Sequence, residues 1–353
     1  MTFGIVLRPA YYCLQCETLA DIEKNFMVKA VPRGRWAANI LRCVFLLLFA
    51  APAYPAYPEK PIRIIVPFAP GGNIDITART IAPGMSEFLG QPVVVDNRGG
   101  AGGKQGTEIA AKAAPDGYTL LLGSSGALTM SPAFYKVGYD PIRDFAPTSL
   151  VSIVPLVLSV HPSLPVHTVK ELIALARKRN GTLTMASAGP GSTTHLTGEL
   201  FQLNNGIKFV HIPYKGSGQA LIDVIGGQVD LIFDQISSSS PLIKAGKLRP
   251  LATSMSRRSP SLPAVPTMSE AGVPAFEAST YTGVVLQAAV PKEIVQKVYD
   301  ALLKTLALPA TRDSFQRLGA EVISCTPDEF TRRLTRDLAQ WTRVREKTNI
   351  QLE

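Results

Sequence analysis

The sequence predicts an α/β protein of two domains with a ligand cleft between them. From Ile62 onward, short runs of β-branched residues alternate with segments of helical periodicity, which is typical of parallel α/β units. The chain has 353 residues, 46% of them hydrophobic, and this length suits two cores of ordinary size. The segment after residue 274 is helix-rich and too short to fold alone, so we expect it to pack on the first domain.

The first series of elements alternates strands and helices. Three strands are predicted: "IRIIV" (62–66), "PVVVD" (92–96) and "YTLLLG" (118–123). Helices are predicted between them, over about 73–89 and about 104–114. Pro83 and Gly84 fall inside the first of these helices, so we expect a kink or a break there.

A second series begins near His161. Its four predicted helices lie at 168–179, about 192–203, about 217–225 and about 240–245. Its four predicted strands are "TLTMAS", "IKFVHI", "VDLIFD" and "LRPLATS". A strand-like "TGVVLQAA" and three helical stretches then complete the chain.

Two crossings of the chain between the domains are predicted, near residues 152–161 and 274–284. Domain 1 would contain residues 57–157 and 279–353, and domain 2 would contain residues 158–278. Two crossings form a hinge, and hinged α/β pairs close around ligands.

The amino terminus, residues 1–53, has the pattern of a cleaved signal peptide. Arginines precede an apolar run at 44–50, and small residues suitable for signal peptidase follow. Cleavage after Ala53 is favoured, with Ala56 as the second choice and Met27 as an alternative start. The run is shorter than the ~20 residues that span a bilayer, so a membrane anchor is the less favoured interpretation. We therefore expect a periplasmic protein.

Charge and motifs exclude several functions. The net charge of +9 is spread along the chain without a basic block interleaved with aromatic residues, so nucleic-acid binding is not predicted. Once the leader is removed, Cys325 stands alone, and no internal disulfide can form. The four histidines lack metal-site spacing, and the serines lack a nucleophile motif. We expect no metal, no cofactor and no enzymatic activity.

The stretch "PFAPGGNID" (67–75) follows the first strand. Gly71 and Gly72 let the backbone approach a ligand closely, and the next helix begins at Gly72 or Asn73 with free N–H groups and a positive dipole end. This arrangement suits a carboxylate or a phosphate. Asp75 either caps the helix or contacts a ligand, and an amine-bearing ligand would favour the second role.

The stretch "AGPGSTTH" (188–195) repeats this arrangement in the second domain. Gly189 lies in the turn, and Ser192 and Thr193 open a helix with hydroxyl groups that either cap it or bind an anion. His195, in the first turn, either donates to a carboxylate or has a structural role.

A third glycine-rich stretch, "DNRGGAGGKQGTEIA" (96–110), is not a nucleotide motif. Arg98 and Gln105 stand where a P-loop needs glycine and a hydroxyl residue, and the glycine spacing does not fit a dinucleotide fingerprint. A structural or cleft-lining turn is the favoured interpretation.

These stretches, in this order, resemble the Bug-type receptors of tripartite tricarboxylate transporters, and the resemblance extends from Tyr57 to the carboxyl terminus. It rests on "YPEKPIRIIVPFAPGGNIDITAR", "VVVDNRGGAGGKQGTEIAAKAAPDGYTLLLG", "YDPIRDFAP" and "IPYKGSGQALIDVIGGQVDLIFD". Many relatives have a small hydroxyl residue and then threonine where this chain has Asn73 and Ile74, so its ligand preference is expected to reside there.

The resemblance implies a type II-like periplasmic-binding fold, in which two loops hold a small carboxylate by main-chain N–H groups and hydroxyls. The ligand-binding residues carried over are Phe68, Ala69, Gly71, Gly72, Asn73, Asp75, Gly189, Ser192, Thr193, His195 and Asp234. It also implies a monomer that delivers its ligand to membrane permease subunits. Presentation to a sensor kinase is the alternative, and an exported enzyme using Ser192 or Ser125 is the least favoured one.

Overall fold

The computed structural model describes residues 57–274 and 276–347, and the predicted signal peptide lies outside them. The described residues form ten strands, most of them short and rich in β-branched residues. The strands are β1 (Ile62–Val66), β2 (Val93–Asn97), β3 (Thr119–Ser124), β4 (Phe145–Val160), β5 (Thr184–Ser187), β6 (Val210–Pro213), β7 (Leu231–Gln235), β8 (Arg249–Thr253), β9 (Ser279–Gln287) and β10 (Glu321–Val322).

Helices follow most of the strands, as expected for α/β units. They are α1 (Asn73–Leu89), α2 (Lys104–Ala111), α3 (Ser131–Phe134), α4 (Val169–Lys178), α5 (Thr193–Asn205), α6 (Ser217–Ile225), α7 (Ile236–Lys244), α8 (Lys292–Ala307), α9 (Pro309–Arg317) and α10 (Pro327–Lys347). A 3₁₀ turn, Ala101–Gly103, precedes α2, and a π-helical turn, Gly126–Met130, precedes α3. None of the helices within the described ranges combines the length and the apolar character that crossing a membrane would require.

The strands pair in the order β2-β1-β3-β9-β4-β7-β5-β6, and β8 and β10 also pair with β4. The pairings β1 with β2 and β3, and β5 with β6 and β7, are parallel. All pairings of β4 and β9 are antiparallel. The sheet thus contains two parallel regions, and β4 and β9 lie between them.

Strand β4, together with β9, connects the two parallel regions of the sheet. Its residues from Phe145 to Pro155 pair with β9. Its residues from Leu156 to Val160 pair with β7, and those from Val157 to Val160 also pair with β8. The sequence did not predict this 16-residue strand, because Pro147 and Pro155 interrupt its pattern. The register with β9 shifts next to Pro147, between Pro147 and Ser149.

Two large apolar cores lie on the sheet. One contains β1, α1 and the helix α8, whose Val298 and Leu302 are fully buried. The other contains β7 and α5, where Phe201 packs against Phe233 with ring centroids 5.2 Å apart. Helices α8 and α9, which follow β9, therefore pack on the first core. Helix α10 packs on a separate apolar cluster through Phe330 and Leu334.

Helix α1 is continuous from Asn73 to Leu89, so it is not broken at Pro83 and Gly84. Tertiary packing explains the difference. A Cβ atom built on Gly84 would lie 2.7 Å from Cγ2 of Thr305 in α8, so the glycine allows the two helices to approach closely. The contact with α8 holds the helix together where propensity alone predicts an interruption.

The helix predicted at about 240–245 begins earlier, at Ile236, directly after β7. The run of serines at 237–240 favours loop conformations in isolation. Here these serines are buried, and Ser238 and Ser239 donate hydrogen bonds to the carboxylate of Asp234. Local hydrogen bonding thus compensates for weak helix propensity.

Candidate functional site

A cavity lies where the carboxyl ends of β1, β3 and β5 meet the beginnings of three helices. In open α/β folds this edge of the sheet is the usual ligand site. The cavity volume is about 20 Å³, which leaves room for about one water molecule. The residues that line it are Phe68, Gly72, Asn73, Ile74, Ser124, Ala188, Ser192, Thr193, Thr194, Ser217, Gln235 and Thr280.

Three loops bring helix amino termini to this cavity. We call them the β1 loop (67–72), which precedes α1, the β5 loop (188–192), which precedes α5, and the β6 loop (214–216), which precedes α6. The first turns of α1 and α6 have no side-chain cap, since their N-cap residues are Gly72 and Gly216. Their N–H groups and positive dipole ends are therefore available to an anion.

No lysine or arginine side chain lines the cavity. Its polar wall consists of hydroxyl and amide groups, together with the main chain of Gly72. Neutral donors and helix termini can stabilise a carboxylate without a buried cation, whose desolvation would be costly. The wall therefore offers hydrogen-bond donors and acceptors without a charged side chain.

Asp75 holds the β1 loop in shape. Its carboxylate accepts hydrogen bonds from the N–H of Gly71 at 2.9 Å, from Arg79 Nε at 3.0 Å and from Asn97 Nδ2 at 3.0 Å. Gly71 has a φ of +85°, which favours glycine. Burial alone would raise the pKa of Asp75, but the hydrogen bonds from Arg79, Gly71 and Asn97 outweigh it and lower that pKa. Asp75 does not line the cavity, and its contacts are those of a loop anchor.

Ser192 closes the β5 loop on itself. Its Oγ donates to the carbonyl of Gly189 at 2.6 Å and accepts from the N–H of His195 at 3.3 Å, so it caps α5. Thr194 Oγ1 accepts from the N–H of Ala188 at 2.8 Å. The hydroxyl groups of this loop thus shape the cavity wall and cap the helix at once.

His195 lies behind the cavity wall. Its ring stacks on that of His211 with centroids 3.9 Å apart, and its Nδ1 accepts from the N–H of Gly191 at 3.2 Å. Burial, with a smaller effect of His211, lowers the pKa of His195 to about 3, and burial lowers that of His211 to about 4. Both rings are therefore neutral at neutral pH, and the other ring nitrogen of His195, Nε2, lies 3.6 Å from Oε1 of Glu199.

Asp234 also lies behind the wall, fully buried at the end of β7. Ser238 and Ser239 donate to its Oδ2 at 2.5 and 2.8 Å. Burial raises the pKa of Asp234, although hydrogen bonds from Ser238, Ser217 and Ser239 act in the opposite direction. Ser217, one of the residues whose hydrogen bonds lower the pKa of Asp234, lines the cavity.

Of the residues predicted from sequence, five line the cavity. They are Phe68, Gly72, Asn73, Ser192 and Thr193. The others support the loops or lie behind the wall. They are Ala69, Gly71, Asp75, Gly189, His195 and Asp234.

Several lining residues were not predicted. Ser217 follows the β6 loop, and the glycines of "KGSGQA" after a predicted strand were the signal that could have indicated it. Gln235 and Thr280 come from β7 and β9, and Gln235 Nε2 donates to Thr280 Oγ1 at 2.9 Å. Ser124 ends β3. Nothing in the local sequence indicates that these last three residues meet.

The loops also contact one another across the cavity. The N–H of Ala69 in the β1 loop donates to the carbonyl of Lys215 in the β6 loop at 3.0 Å. Gly218, in the first turn of α6, lies so close to the β1 loop that a Cβ atom there would be 2.1 Å from the carbonyl oxygen of Pro70. The β1 and β6 loops are thus in direct contact.

A metal site does not emerge from the part of the chain that the structure describes, since it contains no group of three His, Cys, Asp or Glu side chains able to hold an ion. Cys325 is a free, partly buried thiol.

Comparison with known proteins gives consistent matches. Residues 77–350 match the family described as TctC, tripartite tricarboxylate transporter family receptor. Protein BugT of Bordetella pertussis is 40% identical over 302 residues, which cover 84% of this chain and 92% of BugT.

Solved structures resemble the fold over most of its length. The periplasmic binding protein BugD has a TM-score of 0.82 and 36% identity, covering 84% of this chain and 100% of BugD. Rpa4515 of R. palustris with adipate has a TM-score of 0.79 and 37% identity, covering 82% and 97%. MatC of Rhodopseudomonas palustris with bound malate has a TM-score of 0.79 and 32% identity, covering 82% and 99%. The fold is thus the type II-like periplasmic-binding fold expected from sequence.

Proposed function

This chain belongs to the tripartite tricarboxylate transporter receptor family, and from that membership we propose that it is a periplasmic solute-binding receptor for a small carboxylate-bearing metabolite. The carboxylate binds among main-chain amides and hydroxyl groups of the β1 and β5 loops. The receptor then delivers it to the permease subunits of a tripartite tricarboxylate-type transporter. The members of this family are receptors, and the proposal includes no catalytic step.

The convergence of three helix amino termini on one cation-free cavity is the observation that carries this proposal. An anion placed there gains hydrogen bonds from uncapped N–H groups and favourable dipole interactions. Two structural relatives, with 32% and 37% identity, hold malate and adipate. Malate and adipate carry the negative charge that helix amino termini favour.

Binding requires the cleft to open and close, because about 20 Å³ cannot admit a dicarboxylate. We propose that residues 57–157 with 279–353 move against residues 158–278 about the two crossings of the chain. The Ala69 to Lys215 hydrogen bond and the approach of Gly218 to Pro70 would then form on closure. Such hinge closure is a common response to ligand in two-domain α/β proteins.

Thermal unfolding of the purified protein with mono-, di- and tricarboxylates tests the proposal. A ligand that binds only the folded state stabilises it by about 2.7 kcal/mol at a hundredfold excess over Kd. We expect a concentration-dependent rise in Tm with at least one carboxylate and none with the matching neutral amides. Absence of a shift with every acid in the panel would contradict the proposed function.

Localisation and partner need a separate experiment. We propose cleavage of residues 1–53, release into the periplasm as a monomer, and docking on the membrane permease. Mass spectrometry of the periplasmic protein should give an amino terminus after Ala53 or Ala56. Uptake of the carboxylate identified above should depend on both this receptor and the permease, whereas signalling through a sensor kinase would leave uptake intact.

A further inference from the structure

Asn73 carries a buried hydrogen-bond donor that the protein itself does not use. This residue opens α1, is 2% exposed and lines the cavity. Its Oδ1 accepts from Ser237 Oγ at 2.6 Å, and its Nδ2 has no hydrogen-bond partner. A buried donor that stays unsatisfied destabilises the fold unless a ligand or another group accepts from it.

The other polar groups of the wall differ from Asn73. Of the twelve lining residues, Asn73 alone contributes an atom to the buried, unpartnered side-chain atoms of the described chain. Gln235 donates to Thr280, and Ser192 donates to Gly189. Asn73 Nδ2 is therefore the one side-chain nitrogen of the wall without any hydrogen-bond partner, and it lies beside the uncapped amino terminus of α1.

Ser237 fixes the orientation of this donor. It is 2% exposed at the start of α7, and its hydroxyl holds the oxygen of the Asn73 amide. An amide that uses its oxygen in this way has its nitrogen directed elsewhere, with two N–H groups to donate. Buried polar groups in native proteins are nearly always hydrogen-bonded, so a buried amide nitrogen without a protein partner is a candidate for a hydrogen bond to a ligand.

We propose that Asn73 is a specificity-determining residue, whose Nδ2 donates to a carboxylate oxygen of the bound acid at the amino terminus of α1. This inference rests on the proposed receptor function and deepens it. The site then favours a carboxylate over a carboxamide at this position, because both carboxylate oxygens accept and carry negative charge, whereas a carboxamide has one neutral acceptor oxygen. Ser237 is a positioning residue that acts through Asn73.

The test uses matched acids and amides as probes. Malonate, succinate, glutarate and adipate are titrated first by calorimetry, and the tightest of them is compared with its monoamide. Wild-type protein should prefer the diacid at least tenfold. Asn73→Asp keeps an acceptor for Ser237 but replaces the amide donor with a negatively charged oxygen. This variant should bind the diacid at least a hundredfold more weakly than wild type does. Its preference for the diacid over the monoamide should be smaller than that of wild type, or reversed.

Three further variants complete the design. Asn73→Ser restores a hydroxyl donor and should recover part of the preference. Ser237→Ala should weaken diacid binding up to tenfold without reversing the preference. Asn204→Asp makes the same charge change at an exposed position of α5 and should match wild type. Circular dichroism and Tm establish that each variant is folded.

The outcomes separate two failures. If wild type binds a diacid and Asn73→Asp binds it equally well, Asn73 is not a ligand contact, and the receptor function stands. If Asn73→Asp does not fold, an unchanged preference in Asn73→Ala would overturn the inference and a lost preference would support it. If wild type binds no acid of the wider panel, the proposed function and this inference both fail.

Discussion

Replacement of Gly218 by alanine tests whether closure of the β6 loop over the β1 loop is needed for binding. The new methyl carbon would lie 2.1 Å from the carbonyl oxygen of Pro70, whereas ordinary contact begins at 3.4 Å, so the loops would have to separate by about 1.3 Å. The atoms nearest to this methyl carbon belong to the main chain of Pro70 and Gly71, so they cannot move aside by a side-chain rotation. Within α6 itself, alanine is favoured over glycine by about 1 kcal/mol, so the fold should be maintained.

The expected loss of affinity follows from two terms. Overpacking of this kind costs about 1–3 kcal/mol. Separation of the loops would also break the hydrogen bond from Ala69 to Lys215, worth about 0.5–1.5 kcal/mol. The sum of about 1.5–4.5 kcal/mol corresponds to a rise in Kd of about 10- to 2,000-fold.

Isothermal titration with the tightest carboxylate of the panel measures this change. Gly226→Ala is the matched control: Gly226 is the C-cap of the same helix, and its nearest neighbour is a carbonyl of that helix at 3.3 Å. The control should keep the wild-type Kd, and small-angle scattering should show Gly218→Ala remaining expanded with ligand. A Kd for Gly218→Ala within twofold of wild type would refute the closure mechanism.

Three further predictions concern the supports of the site. His195 is neutral in the folded protein but titrates near 6.5 when the chain is unfolded, so its contribution to stability is full above pH 6.5 and is lost as the pH falls towards 3. Between pH 6.5 and 5, the free energy of unfolding in urea should therefore fall by about 2 kcal/mol more in wild type than in His195→Gln. Asp75→Asn removes the charged partner of Arg79 and weakens the hydrogen bond from the N–H of Gly71, so the free energy of unfolding in urea should be about 1–3 kcal/mol lower. Calorimetry should show a weaker affinity for the carboxylate, and an unchanged affinity would argue against a role of Asp75 in anchoring the β1 loop. Phe201→Ala, among three aromatic rings, should cost about 3–5 kcal/mol in urea unfolding without changing Kd per folded molecule.

Sequence reasoning located the parts of the site that follow from local patterns. A strand, a glycine turn and an amphipathic helix determine the β1 loop, and helix α1 was predicted at its observed bounds. The first residues of α5 were found in the same way. Local glycine chemistry and hydrophobic period are enough for such loops.

The remainder of the site depends on pairing between distant segments. Thr280 reaches Gln235 because β4 pairs with β9 on one side and with β7 on the other. The prolines of β4 conceal that strand from pattern analysis. The continuity of α1 through Pro83 likewise depends on a neighbouring helix, so only tertiary contacts could reveal it.

The same pairing affects when the chain can fold. Ser152 and Thr282, joined across β4 and β9, are 130 residues apart in sequence. Folding slows as such separations grow, since the loop must close before the contact forms. For a protein proposed to be released into the periplasm, the strand pair that joins the two parallel regions of the sheet cannot form until residues 279–287 have been made.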